Sequence, residues 1–338
     1  MTRAAAIPPE QPPPGVDLTE APFDLPEAFK DAVLERLSAS SWRRYPSRNQ
    51  RAIVAKAADR LRVAAEAVFP TRGCSEALRI AFLREALEER TLLFPSPSWF
   101  GFRVIAAGLR IPFSYYDVGD ELAAVNSTAA AAAGARGAAT LVMCSPNNPT
   151  GHVVEPDVVK AACADGDRGC IIDLTYDLFE DEPLLPRLAE LSDGPRPTAC
   201  LSLSKVFGLA GARLGLLVGD PSRMSGFKSL SEPYALDYFQ LAVLDVLFDQ
   251  EWAATRGSIA ASVRDWRVEV ARLAAERLPA ARVLAPAGNF VTFSLPVSER
   301  DAEANRIIDA AAAKVFPDSD LVRLTVNEQT LNALRGET

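Results

Sequence analysis

The feature that most constrains the fold of this chain is a series of short apolar runs separated by stretches with helical spacing. Between residues 91 and 220 the runs are TLLFPSP, RIPFSYYDV, ATLVMCSP, GCIIDLTYD, ACLSLSK and RLGLLVGD. The stretch before the first run, SEALRIAFLREALEER, repeats apolar residues at the spacing of a helix. Strands that alternate with helices predict a mainly parallel sheet with helices on both faces. We therefore expect an α/β fold.

Polar residues stand at the ends of several of these runs. Asn147 and Asn148 follow the third run, and Asp173 and Tyr176 lie at the end of the fourth. The fifth run ends in the polar stretch 202–205. Because parallel α/β sheets place their sites at the carboxyl ends of the strands, we expect these side chains to meet in one site.

The pattern changes in the last third of the chain. A long helical stretch at 238–278 is followed by RVLAPAGNFVTFSLP, another helical segment and the short strand-like LVRLTVN. This texture predicts a smaller α+β domain. A length of 338 residues also exceeds the usual size of a single domain. The predicted parts are an N-terminal arm at 1–30, a large domain at 31–240 and a small C-terminal domain at 241–338.

Composition excludes several classes of protein. The net charge is -8, from 36 basic and 44 acidic residues, which argues against a nucleic-acid partner. The sequence contains no apolar run of the ~20 residues that a membrane span requires. The proline-rich start lacks the apolar core of a signal peptide. The five cysteines form no C-x-x-C pair, which predicts no metal site and a reducing, cytoplasmic setting.

One lysine stands out because the chain has only six lysines among its 36 basic residues. Lys205 follows two serines and precedes a glycine-rich run, in SLSKVFGLAGARLG. An arginine never loses its proton near neutral pH, whereas a lysine with a lowered pKa can act as a nucleophile. By itself the position leaves two interpretations open, a solvated surface lysine and a lysine that is used for the chemistry of its amine.

Three motifs occur in order along the chain: NNPTG at 147–151, DLTY at 173–176 and SLSKVFGLAGARLG at 202–215. Together they resemble the fold type I, class I/II aminotransferases, which depend on pyridoxal 5′-phosphate. The resemblance implies an aspartate-aminotransferase-like fold. It matches Lys205 to the lysine that binds the cofactor covalently, whose amine also moves a proton during catalysis. Arg213 matches the arginine that holds the cofactor phosphate.

The same resemblance assigns residues around the cofactor ring. Asp173 matches the carboxylate beneath the pyridine nitrogen, which keeps that nitrogen protonated so that the ring withdraws electrons. Tyr176 and Asn148 match the two groups that hydrogen-bond the ring oxygen O3′. The bond between Asn148 and Pro149 is expected to be cis. Together with Lys205, Asp173 and Tyr176 are the residues expected to take part in catalysis.

The cofactor phosphate is expected to bind cationic and N–H donors. Besides Arg213, the hydroxyl groups of Ser202 and Ser204 are candidate donors. Cys74 and Ser75 open the predicted helix, where backbone N–H groups and the helix dipole favour an anion. Cys74 is thus expected to supply a backbone N–H rather than to act as a nucleophile.

Three further residues are assigned by the resemblance alone. In PSPSWFGF, Trp99 matches the aromatic ring stacked on the cofactor, with Phe100 as the alternative. In VRLTV, Arg323 matches the arginine that binds the substrate α-carboxylate as a bidentate pair, and Asn148 is the second residue expected to bind the substrate. Tyr45, in WRRYPS, matches a tyrosine that reaches the phosphate of the neighbouring subunit, which implies a homodimer.

Among the subfamilies, the chain looks most like the histidinol-phosphate aminotransferases. The shared features are DLTEAPFDLPEAF, the tyrosine–proline element and NFVTF, and the resemblance spans about residues 17–335. Thr19 and Ala21 stand where that group usually has asparagines, and Asn327 replaces its usual glycine. Since these positions lie near the substrate in that group, the substrate of this chain stays open.

The leading prediction is an aminotransferase that moves an amino group between an amino acid and a 2-oxo acid or other carbonyl compound in a ping-pong cycle. One alternative keeps the cofactor but breaks another Cα bond, as a decarboxylase or lyase, since the related threonine-phosphate decarboxylases share the cofactor residues. A second alternative is a sensor domain of a transcription regulator. The acidic charge and the short proline-rich arm at the start of the chain disfavour that second alternative.

Overall fold

The large sheet of this protein confirms the predicted α/β fold. The protein was described by a computed structural model, which covers residues 17–47, 50–119, 132, 139–164, 169–190, 196–316 and 319–337. Its strands are β1 Val68–Thr71, β2 Leu92–Ser96, β3 Phe113–Asp117, β4 Thr140–Cys144, β5 Cys170–Asp173, β6 Thr198–Ser202 and β7 Gly215–Val218. They are ordered β1-β7-β6-β5-β4-β2-β3. Strand β7 is antiparallel to β1 and β6, and the other pairs are parallel.

Eleven α-helices precede, connect or follow the strands in the described part of the chain. They are α1 Glu27–Ser38, α2 Arg51–Leu61, α3 Cys74–Leu87, α4 Gly101–Gly108, α5 Pro156–Cys163, α6 Leu184–Glu190, α7 Pro221–Leu230, α8 Tyr238–Leu247, α9 Ala253–Arg277, α10 Ala302–Ala310 and α11 Glu328–Arg335. The helix predicted after residue 74 is α3, preceded by Gly73 at φ 79°, a backbone region that glycine adopts without strain. Of the helices described, none has the length and apolarity needed to cross a membrane.

A second, antiparallel sheet confirms the smaller α+β region at the C-terminal end. Its strands are β8 Arg282–Val283, β9 Phe290–Ser294, β10 Lys314–Val315 and β11 Leu321–Thr325, in the order β10-β11-β9-β8. Helices α9 and α11 pack against each other beside this sheet, and α10 packs on α11. The predicted strands NFVTF and LVRLTV correspond to β9 and β11.

Strand β1 was not among the predicted strands. It has four residues and includes Pro70, which argues against a strand in the middle of a sheet. In the structure β1 lies at the edge of the large sheet and pairs on one side with β7. An edge strand tolerates a proline, since one side of it makes no ladder hydrogen bonds.

The long helical stretch predicted at 238–278 is wrong in one respect, because it is two helices. Helices α8 and α9 are separated by a short 3₁₀ turn at Gln250–Trp252. The Arg256 side chain folds back from α9 and donates to the carbonyl oxygens of Leu247 and Asp249. It thereby satisfies the carbonyl group of Leu247, the last residue of α8, which has no partner inside the helix.

The predicted domain division stays a prediction. The boundary at residue 30 falls within α1, and the boundary at residue 240 falls within α8. These two helices pack against each other, so one helix of the arm region is held by a helix at the start of the small domain.

The ends of the central strands lie side by side at one edge of the large sheet. Cys144 at the end of β4 pairs with Asp173 at the end of β5, and Asp173 pairs with Cys200 of β6. Ser202 at the end of β6 pairs with Gly215, the first residue of β7. All residues of β4 to β7 are buried, as expected for a sheet covered on both faces. Accessible chemistry is therefore confined to the strand ends.

Candidate active site

Lys205 lies half-buried in the loop between β6 and β7, at the edge where the central strands end. Its Nζ donates a hydrogen bond to the carbonyl oxygen of Leu18. Burial, and then the positive charge of Arg323, lowers the pKa of Lys205 from 10.5 to about 8. A lower pKa raises the fraction of neutral amine, which is the form that acts as a nucleophile or a base. This environment suits the role predicted for Lys205.

Asp173 ends β5 and is only 3% exposed. Its Oδ1 accepts hydrogen bonds from the backbone N–H of Thr175 at 2.9 Å and from the Cys74 thiol at 3.6 Å. Burial raises the pKa of Asp173, and the bonds from Thr175 and Cys74 oppose that rise. A buried carboxylate in such surroundings is stabilised as an anion by a cationic N–H partner.

Tyr176 and Asn148 lie together beside Asp173. The Asn148 amide nitrogen donates to the Tyr176 hydroxyl oxygen at 3.3 Å. The Tyr176 ring packs edge-on against Phe290, with 5.0 Å between the ring centroids. Burial raises the pKa of Tyr176 to about 12, so the hydroxyl keeps its proton at neutral pH. The expected cis bond between Asn148 and Pro149 is confirmed.

Arg213 lies against the N-terminus of α3. A Cβ placed on Gly73 would lie 3.1 Å from Nη2 of Arg213. A Cβ on Gly215 would lie 2.5 Å from the carbonyl carbon of Gly73 and 2.6 Å from the backbone nitrogen of Cys74. The first N–H groups of a helix have no carbonyl partner inside the helix. The guanidinium group and these N–H groups together form a positively charged end of the site, here called the cationic pocket end, which suits a phosphate.

The two serines predicted at the phosphate lie close to each other. Ser202 and Ser204 are both buried, and the Ser204 N–H donates to Ser202 Oγ at 3.2 Å. Ser75 lies exposed in the first turn of α3. Gln240, which was not predicted, donates from Nε2 to the carbonyl oxygen of Arg213 at 3.0 Å. That bond holds the backbone of the loop that carries the arginine.

Arg323 lies on β11 with 5% of its surface exposed. Its Nη1 donates to Oδ1 of Asn148 at 2.5 Å, so the small sheet contacts the loop after β4. Its Nη2 donates to the backbone carbonyl oxygen of Asp17 at 3.0 Å and to Oδ2 of the same residue at 3.2 Å. The guanidinium also lies 5.7 Å from the centroid of the Phe290 ring. The structure thus brings Arg323 next to Asn148 and Tyr176.

The aromatic residues predicted at the cofactor are more exposed to solvent than the other predicted site residues such as Asp173 and Tyr176. Trp99 is half-buried and packs edge-on against Phe102, with 5.5 Å between the ring centroids, while Phe100 is 69% exposed. Tyr45 is 78% exposed and stacks on Tyr234 at 4.6 Å. The roles of Trp99, Phe100 and Tyr45 at a cofactor stay predictions.

The three positions that depart from the histidinol-phosphate pattern differ in location. Thr19 has φ 50°, and its Oγ1 lies 2.9 Å from the Tyr176 hydroxyl oxygen, inside the site. Ala21 is half-buried in the same segment. Asn327 is the N-cap of α11, where its Oδ1 accepts from the backbone N–H of Thr330 at 2.8 Å. The replacement at 327 therefore caps a helix.

Besides Gln240, the sequence analysis missed two residues of the site, Asp17 and Asn289. The Asn289 amide nitrogen donates to the carbonyl oxygens of Thr19 at 2.8 Å and Glu20 at 3.1 Å. Asn289 stands in the NFVTF stretch, so the resemblance could have marked it. Asp17 opens the DLTEAPF stretch, but its pairing with Arg323 could not be read there, because the two residues lie 306 positions apart in the sequence.

The donor set fits pyridoxal 5′-phosphate, the cofactor that the motifs imply. The cationic pocket end at Arg213 suits its phosphate, and glycines at 73 and 215 leave that pocket clear of side chains. The buried Asp173 suits the protonated ring nitrogen, since a cation stabilises the charged carboxylate. Lys205, with its lowered pKa, suits the aldehyde.

Comparisons with known proteins identify the family of this chain. The family model of aminotransferase class I and II matches residues 17–334. Histidinol-phosphate aminotransferase 1 of Burkholderia lata is 29% identical over 326 residues, covering 94% of this chain and 89% of that protein.

Solved structures share the fold at low sequence identity. Histidinol-phosphate aminotransferase from Sinorhizobium meliloti, in complex with pyridoxal-5′-phosphate, superposes with a TM-score of 0.77 at 17% identity, covering 94% of this chain and 88% of that one. L-threonine-O-3-phosphate decarboxylase from Porphyromonas gingivalis gives 0.70 at 18% identity, covering 95% and 100%. Because the family model matches nearly the whole of this chain, residues 17–334, the chain belongs to the class I and II aminotransferases, whose cofactor is pyridoxal 5′-phosphate.

Proposed function

We propose that this enzyme transfers an amino group from an α-amino acid to a 2-oxo acid or other carbonyl acceptor in a ping-pong cycle. The observation that carries this proposal is the buried guanidinium of Arg323 beside Asn148, in the same site as Lys205. A planar guanidinium fork recognises a carboxylate through two parallel hydrogen bonds. An amino-acid donor and a 2-oxo acid acceptor both present such a carboxylate.

Lys205 and the residues around it have separate roles in the proposed reaction. Pyridoxal 5′-phosphate supplies an electron sink for the pair released when the Cα–H bond breaks. Lys205, with its pKa lowered to about 8, would take that proton on Nζ as a neutral amine and move it from Cα to the cofactor carbon C4′. Asp173 holds the proton on the ring nitrogen, and Tyr176 with Asn148 holds the ring oxygen.

The phosphate end of the site anchors the cofactor without taking part in bond breaking. Arg213 and the first N–H groups of α3, from Cys74 and Ser75, supply charge and hydrogen bonds there. The buried Ser202 and Ser204 supply hydroxyl donors next to them. Trp99 is proposed to stack on the ring from the side of α4.

We also propose a homodimer in which Tyr45 reaches the phosphate site of the partner subunit. Its support is the surface position of the ring, which is 78% exposed and stacked on Tyr234. Trp42, three residues before it, is 75% exposed, and a pair of large exposed aromatic side chains suits a protein interface.

We propose a cytoplasmic location and the three-part division of the chain at residues 30 and 240. All five cysteines are free and buried, which suits a reducing compartment. The antiparallel sheet lies wholly within the proposed small domain, which supports the division.

A half-reaction tests the proposed function. Purified holoenzyme is mixed with each of a panel of amino acids without an acceptor, and the visible absorption of the bound cofactor is recorded. We expect the absorption of the cofactor to shift to that of its aminated form for at least one amino acid, with stoichiometric 2-oxo acid. Addition of a 2-oxo acid should restore the starting spectrum. Continuous release of carbon dioxide or ammonia would instead establish the decarboxylase or lyase alternative.

A further inference from the structure

Residues 17–20, here called the N-terminal strap, cross the candidate site. The carbonyl oxygen of Leu18 accepts the hydrogen bond from Lys205. The Thr19 hydroxyl lies 2.9 Å from the Tyr176 hydroxyl. Asn289 donates to the two carbonyl oxygens that follow, so the strap is fixed at several points along its length. A ligand that approaches Lys205 and Tyr176 must therefore move the strap.

The strap is anchored by an ion pair between Asp17 and Arg323. The carboxylate and the backbone carbonyl oxygen of Asp17 both accept from Nη2 of Arg323. The Thr325 hydroxyl donates to Oδ2 of the same carboxylate. The two charged side chains are only 12% and 6% exposed, so the pair is largely removed from solvent. A pair in this environment is costly to break unless another anion replaces the carboxylate.

The donors of Arg323 leave no second place for a bidentate carboxylate. Nη1 is bound to Asn148, and Nη2 is bound to Asp17. Nε is buried and has no hydrogen-bond partner among the described residues. A bidentate carboxylate accepts from two neighbouring nitrogens of the guanidinium. Every such pair includes Nη1 or Nη2, and both of these already donate hydrogen bonds. The only one of these partners that carries the same charge and chemistry as a substrate carboxylate is Asp17.

We propose that Asp17 is a specificity-determining residue whose carboxylate competes with that of the substrate for Arg323. This inference rests on the role proposed above for Arg323. When the substrate carboxylate replaces that of Asp17 on the guanidinium, the strap is released in the same step. A ligand with a carboxylate replaces Asp17 on the guanidinium and keeps that buried cation paired. An amine without a carboxylate offers no replacement anion, so the strap stays over Lys205 and Tyr176.

The competition has a measurable consequence for affinity. The apparent affinity of a ligand is its intrinsic affinity multiplied by the fraction of protein in which the site is open. An internal competitor lowers that fraction and therefore weakens the binding of every carboxylate ligand. Asp17→Asn removes the charge of the competitor while keeping the size of the side chain. We expect this variant to bind a simple carboxylate about tenfold more tightly than the wild type does.

Asp24→Asn is the matched control. Asp24 lies in the same part of the chain, its side chain is 73% exposed, and its ion pair is with Lys30 rather than with a residue of the site. The substitution removes the same charge from the same segment and leaves Arg323 paired.

Hydrogen exchange tests the movement of the strap in the holoenzyme. Exchange of backbone amides at 17–21 is followed by mass spectrometry, with sodium propionate or propylammonium chloride at equal ionic strength. Propionate should raise the exchange rate of the wild type about tenfold, towards that of ligand-free Asp17→Asn. Propylammonium should leave it unchanged, and ligand-free Asp24→Asn should exchange like the wild type. Equal exchange in Asp17→Asn and wild type, or equal effects of the two probes, would overturn the proposal.

Line broadening of ¹³C-labelled propionate measures affinity in the same three proteins. A dissociation constant that falls in Asp17→Asn alone supports competition, whereas an unchanged or higher one contradicts it. Neither measurement depends on turnover. If propionate releases the strap while the half-reaction yields carbon dioxide or ammonia, the transaminase proposal fails and the competition at Arg323 stands.

Discussion

Arg323 and Asn148 join the two sheets of the enzyme, with Nη1 of the arginine 2.5 Å from Oδ1 of the asparagine. The same asparagine donates from its amide nitrogen to the Tyr176 hydroxyl at 3.3 Å. Arg323 is proposed to bind the substrate and Tyr176 the cofactor. Asn148 therefore links the two halves of the site through one short side chain, and a change at either end is transmitted to the other.

Replacing Arg323 should weaken selection of carboxylate substrates. For Arg323→Ala we expect kcat/KM for the amino-acid donor to fall by about 10²–10³, since a buried, charge-assisted pair is lost. Arg323→Lys should recover little, because an ammonium group cannot reproduce the planar fork. Steady-state kinetics with the donor identified by the half-reaction measures both effects.

Arg335→Ala is the matched control for that experiment. Its guanidinium is 42% exposed and pairs with Glu269 at 3.7 Å, on the surface. Its kcat/KM should stay close to the wild-type value. An equal fall in kcat/KM in Arg335→Ala and Arg323→Ala would contradict a specific role of Arg323, because losing either C-terminal arginine would then have the same effect.

The amine of Lys205 should titrate below an ordinary lysine. Burial and the charge of Arg323 lower its pKa to about 8, so in the cofactor-free protein its neutral fraction rises as pH passes through 8. Competitive labelling with acetic anhydride, read by mass spectrometry of the Lys205 peptide, should be half-maximal near that pH. In urea-unfolded protein the midpoint should move towards 10.5, the ordinary value. The same midpoint in both states would contradict a perturbed amine.

Glycine at 215 should be required for cofactor binding. A Cβ there would lie 2.5 Å from the carbonyl carbon of Gly73, so Gly215→Ala must displace the N-terminus of α3. We expect the dissociation constant of pyridoxal 5′-phosphate to rise at least about tenfold, since overpacking a close backbone contact costs about 1–3 kcal/mol. Fluorescence titration of the apoprotein measures it.

Gly211→Ala provides the comparison, because a Cβ at 211 meets no atom within 4 Å. Gly211 lies in the loop that leads from β6 to Gly215 at the start of β7, and its replacement should leave cofactor affinity unchanged. If the two alanine variants bind the cofactor equally well, the close contact at 215 does not shape the phosphate site.

Much of the fold followed from patterns that act over a few residues. The apolar runs predicted β2 to β7, and the polar residues at their ends, such as Asp173, met at one edge because parallel strands end together. The antiparallel direction of β7 was not predictable, since a buried strand has the same apolar pattern in either direction. Strand β1 was missed because its proline is tolerated only at an edge.

The residues of the candidate site that stand in a recognisable motif could be predicted from the sequence. Those that join the site through contacts between distant segments could not. Lys205 and Arg213 were found from one stretch of sequence. The bond of Gln240 to the arginine loop and the pairing of Asp17 with Arg323 join segments far apart in the chain. No spacing records such contacts, and only the packed structure reveals them.

The most direct test of the account is the identity of the lysine that binds the cofactor. Holoenzyme is reduced with sodium borohydride and digested, and the peptide that carries the pyridoxyl group is sequenced by mass spectrometry, with Lys228→Ala as a control at an exposed helical lysine. The account predicts the adduct on Lys205 in the wild type and in Lys228→Ala, and its loss in Lys205→Ala. An adduct on any other lysine, or one retained at the same site in Lys205→Ala, would contradict it.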